Sequence, residues 1–373
     1  MRPLIHPALA RVWRDPTTIQ IGLDPARALV LGGLTSLDTT VLRSLDGRAD
    51  TFMLRSQATD QGGDAAVADR LLDVLQSAGV LVDYDRLQPA DRPDAPPDGD
   101  GAPPDGEGTP DGTERPGESE VRAPDRAGLG ILTGALDGGA AAMQARHAAW
   151  VEVRGAGRVG AQIVRLLDAA GVGRTSAIDP GPASAHDAAP GGLSNRHVGR
   201  PRDESIQRLV GGARARSRAV SRRAPASEVD PATPDFVVLA PAPGAALVQG
   251  GEALVAAGIP HLTARVVELT GIVGPLVVPG RTSCLRCLEL HRADRDPAWP
   301  RIAAQAAHHG SSVAACDVTL ATQVAALAAQ QVLASLDGFS PATIDGTIEV
   351  SLPYGLPRRR SWRPHPACGC AWS

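Results

Sequence analysis

The sequence contains no lysine, so all 37 of its basic residues are arginines. Against 41 acidic residues they leave a net charge of −4, and no polybasic tail is present. Nucleic acids and anionic lipid surfaces attract concentrated positive charge. Binding to nucleic acid or to a membrane surface is therefore not predicted.

Long hydrophobic runs are also missing. No apolar stretch approaches the roughly 18 residues that span a bilayer, and Pro3, His6 and Pro7 interrupt the first ten residues, unlike a signal peptide. Four of the five cysteines form two close pairs, which favours metal ligation in a reducing compartment over disulfide bonding. We expect a cytoplasmic protein without a membrane partner.

The 373 residues suggest two domains. In residues 1–84, Thr17–Ile21 and Ala26–Leu31 are β-rich runs on either side of a turn at Leu23-Asp24-Pro25. Helices are predicted from Ser36, as a cap, and from a stripe at helical spacing that includes Val67, Leu71 and Leu75. A hairpin with three short helices predicts a small winged-helix-like module.

Residues 85–127 are predicted to be a disordered linker. Pro, Asp, Gly and Glu dominate this segment, as in Pro96-Pro97-Asp98-Gly99-Asp100, and large apolar residues are rare. Such a composition cannot bury enough surface to offset the entropy lost on ordering.

Residues 128–373 alternate between strand and helix patterns, which predicts an α/β domain with a mostly parallel sheet covered on both faces. The expected strands are Ala148–Arg154, Thr175–Ile178, Asp235–Ala240 and Ile259–Val266. The expected helices are Arg158–Ala170 and one that ends near Ala257.

A glycine loop, Gly155-Ala156-Gly157-Arg158-Val159-Gly160, follows the first of these strands and opens its helix. Gly155 permits a tight turn, Gly157 lets a phosphate approach the backbone, and Gly160 allows close helix packing. Asp179 ends the next strand, where a carboxylate can accept hydrogen bonds from a ribose. The pattern indicates a nucleotide crevice, although glycines that serve packing alone would look the same.

A dinucleotide oxidoreductase is the first enzyme class that such a loop suggests. No convincing residues for hydride transfer or for substrate binding accompany the loop, so this class has little support.

Cys284-Leu285-Arg286-Cys287 and Cys368-Gly369-Cys370 form two chelating pairs. Together they complete the tetrahedral sulfur shell that structural zinc prefers. His365 or His291 could replace one sulfur, and free buried thiols are the plain alternative. Cys316 stands apart on a predicted helix, Val313–Leu336, and is interpreted as a buried small residue without an activating neighbour.

Together these features resemble the ThiF/MoeB family, the fold of ubiquitin-activating-type adenylyltransferases, over about Ala148–Trp372. Four motifs carry the resemblance: the glycine loop, Gly171-Val172-Gly173-Arg174, Val198-Gly199-Arg200-Pro201-Arg202, and the segment that leads from Gly274 to Cys284. The resemblance implies that Gly155, Gly157, Gly160 and Asp179 hold ATP and that the domain activates a C-terminal carboxylate as an acyl-adenylate.

Departures from the family pattern weaken the expectation of catalysis. Arg202 stands where an adenylating member has a lysine that meets phosphate, and Pro241-Ala242-Pro243 replaces an aspartate that holds magnesium. Only Asn195-Arg196 suggests a remnant of the phosphate-binding asparagine and arginine. Arginine is not equivalent to lysine in reach or geometry. We expect weak or vestigial ATP binding, with Arg202 as the one candidate catalytic residue.

The combination of a winged-helix-like module with a degenerate ThiF-like domain resembles the partner proteins of YcaO cyclodehydratases in thiazole/oxazole-modified peptide biosynthesis. That resemblance implies a PqqD-like module that binds a precursor leader peptide, a YcaO-type partner that performs the ATP-dependent chemistry, and a homodimer, as is common in the family. The alternative is a working adenylyltransferase that activates the C-terminus of a small carrier protein or peptide.

Overall fold

The computed structural model describes residues 1–87, 121–134, 136–218, 233–242, 249–306 and 315–370, without the side chains of residues 211–218. The chain forms two compact units: Met1–Pro7 with Leu31–Ala123, and Ala8–Val30 with Pro124–Ser373. Most of the predicted linker, residues 88–120, lies outside the described residues.

The first unit is a small α-helical module with a two-stranded sheet. Thr35 caps its first helix one residue before the predicted cap, because its side chain accepts a hydrogen bond from the Asp38 amide while Asp38 accepts one in return. Buried leucines such as Leu45, Leu54 and Leu75 form the core. The elements are β1 (Pro3–Ile5), α1 (Ser36–Arg43), α2 (Thr51–Asp60), α3 (Ala66–Ser77), β5 (Leu81–Asp83) and α4 (Tyr84–Leu87).

Strands β1 and β5 pair antiparallel, with Leu4 opposite Val82. The His6 amide donates to the Val80 carbonyl and the Tyr84 amide to the Arg2 carbonyl, so every second residue of β5 bonds to β1. The alternate residues, Leu81 and Asp83, therefore direct their amides to the outer edge of the sheet. This leaves β5 as an edge strand.

The second unit includes an N-terminal three-stranded sheet with strand order β2-β3-β4, made of β2 (Arg11–Asp15), β3 (Thr18–Ile21) and β4 (Leu29–Leu31). The predicted hairpin is present, extended by β2. Its contacts assign residues 8–30 to the second unit rather than to the helices that follow it in sequence.

Three sets of hydrogen bonds hold this sheet. The Gln305 side chain both accepts from the Trp13 amide, at 2.8 Å, and donates to the Trp13 carbonyl, at 2.7 Å. Arg14 makes a bidentate pair with Asp296, at 2.9 and 2.6 Å. Glu268 accepts from the Leu23 amide at 2.7 Å, and the fully buried Val12 packs in one hydrophobic cluster with Leu23 and Ile302.

The centre of the second unit is a seven-stranded sheet with strand order β12-β11-β10-β9-β8-β6-β7. The strands β7, β6, β8 and β9 run parallel, and β10, β11 and β12 add antiparallel pairs. The strands are β6 (Trp150–Arg154), β7 (Arg174–Ile178), β8 (Phe236–Leu239), β9 (His261–Val267), β10 (Thr270–Val277), β11 (Gly346–Ser351) and β12 (Pro357–Ser361). All four predicted strands of the α/β pattern are confirmed.

Helices cover both faces of this sheet. The helices of this part of the chain are α5 (Ala123–Thr133), α6 (Ala140–Ala148), α7 (Gly160–Ala169), α8 (Arg202–Arg218), α9 (Gly251–Ala256), α10 (Leu285–Arg295), α11 (Trp299–Ala306) and α12 (Val318–Leu336). Helix α5 begins inside the segment that was predicted to be linker. The part of α5 inside that segment, residues 123–127, is exposed, and the buried contact of the helix is Leu129, at 2% exposure, just beyond the segment.

One face of the sheet carries the main hydrophobic core, to which Val153 of β6, Ile163 of α7 and Val324 of α12 belong. Among the described residues, α12 is the one helix whose length and composition would allow it to cross a membrane. It packs here as a core helix, with residues such as Leu320 and Val332 fully buried.

The start of α12 differs from the prediction. Asp317 caps the helix by accepting from the Leu320 amide, at 2.8 Å, so Cys316 lies just before the helix and not on it.

Candidate functional site: a glycine-loop crevice and a four-cysteine cluster

The glycine loop joins the end of β6 to α7, as predicted. Gly155 has a φ of +101°, and a Cβ at this position would lie 1.9 Å from the Ala240 carbonyl oxygen at the end of β8. A Cβ on Gly160 would lie 1.9 Å from the Gly155 carbonyl oxygen. Both positions therefore require glycine, because a side chain at Gly155 would push the loop away from the end of β8 and one at Gly160 would push α7 away from the loop.

Asp179 lies directly after β7 and faces the loop. Its Oδ2 accepts a hydrogen bond from the Ala156 amide at 2.9 Å. The carboxylate is thus fixed at the mouth of the crevice, where a ribose-binding aspartate is expected. The structure brings Gly155, Gly157, Gly160 and Asp179 together.

Arg202, at the start of α8, completes a charged network at this mouth. Its Nη1 donates to Asp179 Oδ1 at 3.0 Å, and its Nε donates to Asp187 Oδ2 at 2.9 Å. Burial opposes the charged guanidinium, but the bond to Asp187 and the charge of Asp179 together raise the pKa of Arg202. Arg202 is therefore a permanent cation already shared by two carboxylates.

Asp187 is a site residue that the sequence pattern did not indicate. It ends a short 3-10 helix, Ala185–Asp187, and accepts from the Ser184 amide at 2.8 Å. Its Oδ1 would lie 3.0 Å from a Cβ on Gly157, so this carboxylate borders the loop that would cradle phosphate. The only signal in the sequence was its position shortly after Asp179.

Arg158 is a second residue that was not singled out. Its Nη1 donates to the carbonyls of His186, at 2.8 Å, and Ala188, at 3.1 Å, and so fixes the segment that carries Asp187. Its Nε is buried and has no hydrogen-bond partner among the described residues.

Burial raises the pKa of Cys316 to about 11, although the charge of Arg158 acts against the shift. Cys316 is thus held as a thiol.

Other expected nucleotide ligands are not brought to the crevice. Asn195 and Arg196 are exposed on a separate 3-10 helix, Asn195–His197. Pro241 and Ala242 follow β8 and offer no carboxylate, while Pro243 lies outside the described residues. In the part of the chain that the structure describes, no carboxylate directly after β8 is available for a metal ion.

The two cysteine pairs converge at the start of α10 and at the C-terminal end of the chain. Their sulfur atoms are separated by 3.8 Å between Cys284 and Cys287, 3.5 Å between Cys284 and Cys368, and 3.3 Å between Cys287 and Cys370. Four sulfurs about 2.3 Å from a tetrahedral zinc ion would be separated by about 3.8 Å. The cluster could therefore hold zinc with small adjustments.

The environment of the cluster also suits a cation. Burial is the largest cause that raises the pKa of Cys368, to about 11. Four neighbouring thiols cannot all ionise without a positive charge among them, and a divalent ion supplies that charge. The His365 amide donates to Cys287 Sγ at 3.3 Å, as expected for a backbone group that supports a metal thiolate.

Both candidate histidines make hydrogen bonds outside the four-sulfur cluster. His365 Nδ1 accepts from the Ala367 amide at 3.1 Å, so its Nε2 carries the proton and donates to Asp294 at 2.9 Å. His291 Nε2 lies 2.9 Å from the Arg363 carbonyl, which can only accept. His291, Asp294 and His365 lie close enough to share an ion, and in this arrangement both histidines use Nε2 for hydrogen bonds, to Asp294 and to the Arg363 carbonyl.

A Rossmann-like sheet with a glycine loop and a C-terminal four-cysteine cluster defines the class of ThiF-like Rossmann domains. The family model described as "ThiF family" matches residues 135–370. The chain belongs to the ThiF family.

Solved structures of E. coli MccB share the fold over the whole chain. The structure described with succinimide has a TM-score of 0.51 at 13% identity and covers 100% of both chains. A second MccB structure has a TM-score of 0.51 at 13% identity and covers 100% of this chain and 97% of that chain. The structure described with ATP has a TM-score of 0.50 at 15% identity and covers 100% of both chains. No curated protein sequence matches the chain.

Proposed function

We propose that this protein binds the leader of a precursor peptide and presents the peptide to a YcaO-type cyclodehydratase in the cytoplasm, with a ThiF domain that has lost efficient adenylation. The observation that carries this proposal is the position of Arg202 between Asp179 and Asp187.

The charges at the crevice argue against fast nucleotidyl transfer. A triphosphate would approach a glycine loop bordered by the carboxylates of Asp179 and Asp187, and Arg202, the cation beside them, is already bonded to both. Catalysis of this type depends on preorganised positive charge where negative charge develops. With Pro241 and Ala242 in place of the metal carboxylate, the charge on the reacting phosphate would be poorly stabilised.

The sequence predicts leader binding within residues 1–84, with the hairpin Thr17–Leu31 as the expected edge for an added strand. Because residues 8–30 belong to the second unit, we assign leader binding instead to the helical module of the first unit. The outer edge of β5, with the amides of Leu81 and Asp83, offers main-chain hydrogen bonds to an extended peptide. Strand addition of this kind gives affinity through the backbone and selectivity through pockets for alternate side chains. The outer edge of β2, by contrast, is bonded at Trp13 by Gln305, so β5 supports the proposal better than the hairpin does.

A matched pair of variants in the full chain tests the leader site. Leu81→Pro removes the outward amide, whereas Leu81→Ala keeps it and shortens the same side chain. Fluorescence polarisation with the leader encoded nearest this gene should show strong loss of binding in the first variant and little loss in the second. Equal affinity in both variants would contradict the β5 site, and failure of a YcaO protein to co-purify would contradict the partner.

The second candidate function is an active adenylyltransferase that acts on the C-terminal carboxylate of a small carrier protein or peptide. Its support is the intact geometry of Gly155, Gly160 and Asp179, and the existence of an MccB structure described with ATP. Pyrophosphate exchange separates the two functions. Robust exchange with a peptide or carrier would favour the enzyme, and feeble exchange that Asp179→Ala leaves unchanged would favour the scaffold.

Zinc is proposed as a structural ion held by Cys284, Cys287, Cys368 and Cys370. Four sulfur ligands leave no open coordination position, so the ion would join α10 to the C-terminal end rather than take part in chemistry. A homodimer, as the family resemblance implies, is testable by light scattering on the purified chain.

A further inference from the structure

The outer edge of β12 offers main-chain hydrogen-bonding groups. Strand β12 ends the seven-stranded sheet, so among the described residues one of its sides lies against β11 and the other has no strand beside it. The Trp362 amide, one residue past the strand, donates to the Asp345 carbonyl at 2.8 Å. Because antiparallel pairing alternates, every second residue back from Trp362 also bonds to β11. The amides of Arg359 and Ser361, which lie between those residues, therefore point outward.

The side chains of this edge are basic. The segment from Pro357 to Arg363 contains four arginines and no acidic residue: Arg358, Arg359, Arg360 and Arg363. The neighbouring carboxylates are Glu349 on β11, which pairs with two of these arginines, and Asp345 just before β11. Four arginines against two carboxylates leave an excess of two positive charges on the edge itself.

The adjoining end of α10 does not change this excess. Its two arginines lie over the Trp362 ring, at 5.9 and 4.9 Å from the ring centre. Two carboxylates of the same helix balance them, so this end of α10 contains Arg292 and Arg295 with Glu289 and Asp294. The positive charge therefore belongs to β12 and to the residues that follow it.

Arg359 carries part of this charge at a fixed position. Its guanidinium donates to the carbonyls of Ala342, at 2.7 Å, and Ile344, at 3.0 Å, and to the Ser361 hydroxyl, at 2.8 Å. These acceptors are neutral, and no carboxylate pairs with Arg359 in the described part of the chain. Its side chain is exposed, so it can meet an acidic side chain on a strand added to the edge.

The turn before β12 adds an apolar end to the edge. Tyr354 is 84% exposed and Leu356 is 75% exposed. The turn between them is held in place, since Gln323 of α12 donates to the Gly355 carbonyl at 2.8 Å and the Gly355 amide donates to the Ser351 carbonyl at 3.0 Å. Protein interfaces are enriched in tyrosine and arginine, and groups that are already positioned lose less entropy on binding.

Two occupants from this chain itself fit the edge poorly. Pairing of β12 with β12 of a second copy would set arginines against arginines, and like charges opposite one another destabilise a sheet. The acidic segment of residues 88–120 has the complementary charge, but eight of its residues are prolines, which have no amide to donate to an added strand. A separate acidic chain remains.

We propose that the outer edge of β12, with the turn before it, docks an acidic β-strand segment of a partner protein. The segment pairs antiparallel to β12, so its acidic side chains lie among the arginines and an apolar residue after them reaches Tyr354 and Leu356. The site uses neither the β5 edge nor the glycine loop. It therefore goes beyond the proposed function and stands even if no leader binds at β5.

The probe is the labelled peptide Ser-Glu-Val-Glu-Val-Glu-Leu-Leu with an amidated C-terminus, measured by fluorescence polarisation on the full chain. A version with glutamine for each glutamate loses the charge, and a version with proline for each valine keeps the charge but loses two amides. Each should bind on the order of tenfold more weakly than the probe. High salt should weaken the probe more than the glutamine version, because it screens exposed charges.

Variants locate the site. Ser361→Pro removes an outward amide and should weaken the probe on the order of tenfold, whereas Ser361→Ala keeps the amide and should change the affinity little. Arg358→Gln and Tyr354→Ala, at exposed positions, should each weaken the probe several-fold. Arg301→Gln, an exposed arginine on α11, is the control and should leave binding unchanged.

If Ser361→Pro does not fold, Arg358→Gln and Tyr354→Ala decide the test. The proposal would be overturned by no binding of the probe, by equal affinity for the glutamine version, or by equal affinity in Ser361→Pro and Ser361→Ala. Full binding in both Arg358→Gln and Tyr354→Ala would also overturn it. Tighter binding of a single-stranded DNA oligonucleotide than of the probe would replace the acidic strand by a nucleic acid.

Discussion

Arg202 and Asp179, at opposite ends of a 24-residue stretch, meet at the mouth of the crevice, where the guanidinium Nη1 lies 3.0 Å from the carboxylate Oδ1. The same guanidinium bonds Asp187, so one cation joins the strand end, the 3-10 helix and the first turn of α8. The side chains are largely buried, at 21% exposure for Arg202 and 19% for Asp179. This network shapes the crevice and engages the guanidinium of Arg202 in two ion pairs.

The first prediction concerns this network. Arg202→Gln should destabilise the second unit by about 1–3 kcal/mol, because two partly buried carboxylates lose their shared partner. Urea unfolding measures the loss. Arg208→Gln, on the exposed i,i+4 pair with Glu204, is the matched control and should cost less than about 0.5 kcal/mol. Equal effects of the two variants would show that the network contributes little to stability.

The second prediction separates two glycines of the loop. Gly155→Ala should cost about 3 kcal/mol or more, because a Cβ would meet the Ala240 carbonyl and the φ of +101° disfavours a side chain. Gly157→Ala should cost about 1 kcal/mol, because only the movable Asp187 side chain must shift. Thermal unfolding compares the two variants, and a larger loss at Gly157 would contradict the packing described for β6 and β8.

The third prediction is about one zinc ion per chain in freshly purified protein. Cys287→Ser should remove nearly all of it and lower the melting temperature, whereas Cys316→Ser should retain it, since Cys316 stands outside the cluster. Elemental analysis reads the metal content directly. Absence of zinc in protein never exposed to chelators would count against the site.

The fourth prediction is a pH effect at Glu268. Burial raises the pKa of this carboxyl, against the hydrogen bonds from the Leu23 and Asp24 amides. A group whose pKa is raised by folding contributes stability that is complete below its unfolded pKa and is lost as pH rises through its folded pKa. The free energy of unfolding of the natural chain, measured relative to Glu268→Gln, should therefore fall as pH rises above the ordinary glutamate range.

Glu252→Gln, at an exposed position, is the control for that measurement and should show no such trend. If the stability of the natural chain relative to Glu268→Gln instead grew with pH, folding would lower the pKa of Glu268. The hydrogen bonds from the backbone amides would then outweigh burial.

Much of the fold follows from local sequence patterns. The strands of β6 to β9 and helix α7 were predictable because their apolar residues recur at the spacing of buried strands and an amphipathic helix. Strand β12 was not predictable, because Pro357–Ser361 is an arginine-rich edge with almost no buried side chain. Its pairing depends on β11 and not on its own composition.

The candidate site likewise contains residues that the sequence predicts and residues that it does not. Glycine spacing and cysteine spacing are local, so the loop and the four sulfurs could be identified from the sequence. Asp187 could not, because its role depends on Arg202, 15 residues away, and on a 3-10 helix without periodicity. The packing of the N-terminal hairpin could not be predicted either. Its partners are far away in sequence: Glu268 lies 245 positions from Leu23, and Gln305 lies 292 positions from Trp13.

The path of the chain through the two units has a consequence for dissection by proteolysis. Residues 1–7 belong to the first unit, 8–30 to the second and 31–123 to the first again, so the polypeptide passes between the units three times. One cut after Leu87 would leave the hairpin on the N-terminal fragment. That fragment would carry Val12, Arg14 and Leu23, which the C-terminal fragment binds through Ile302, Asp296 and Glu268. The two pieces should therefore behave as a complementing pair that co-elutes after cleavage and separates only on denaturation.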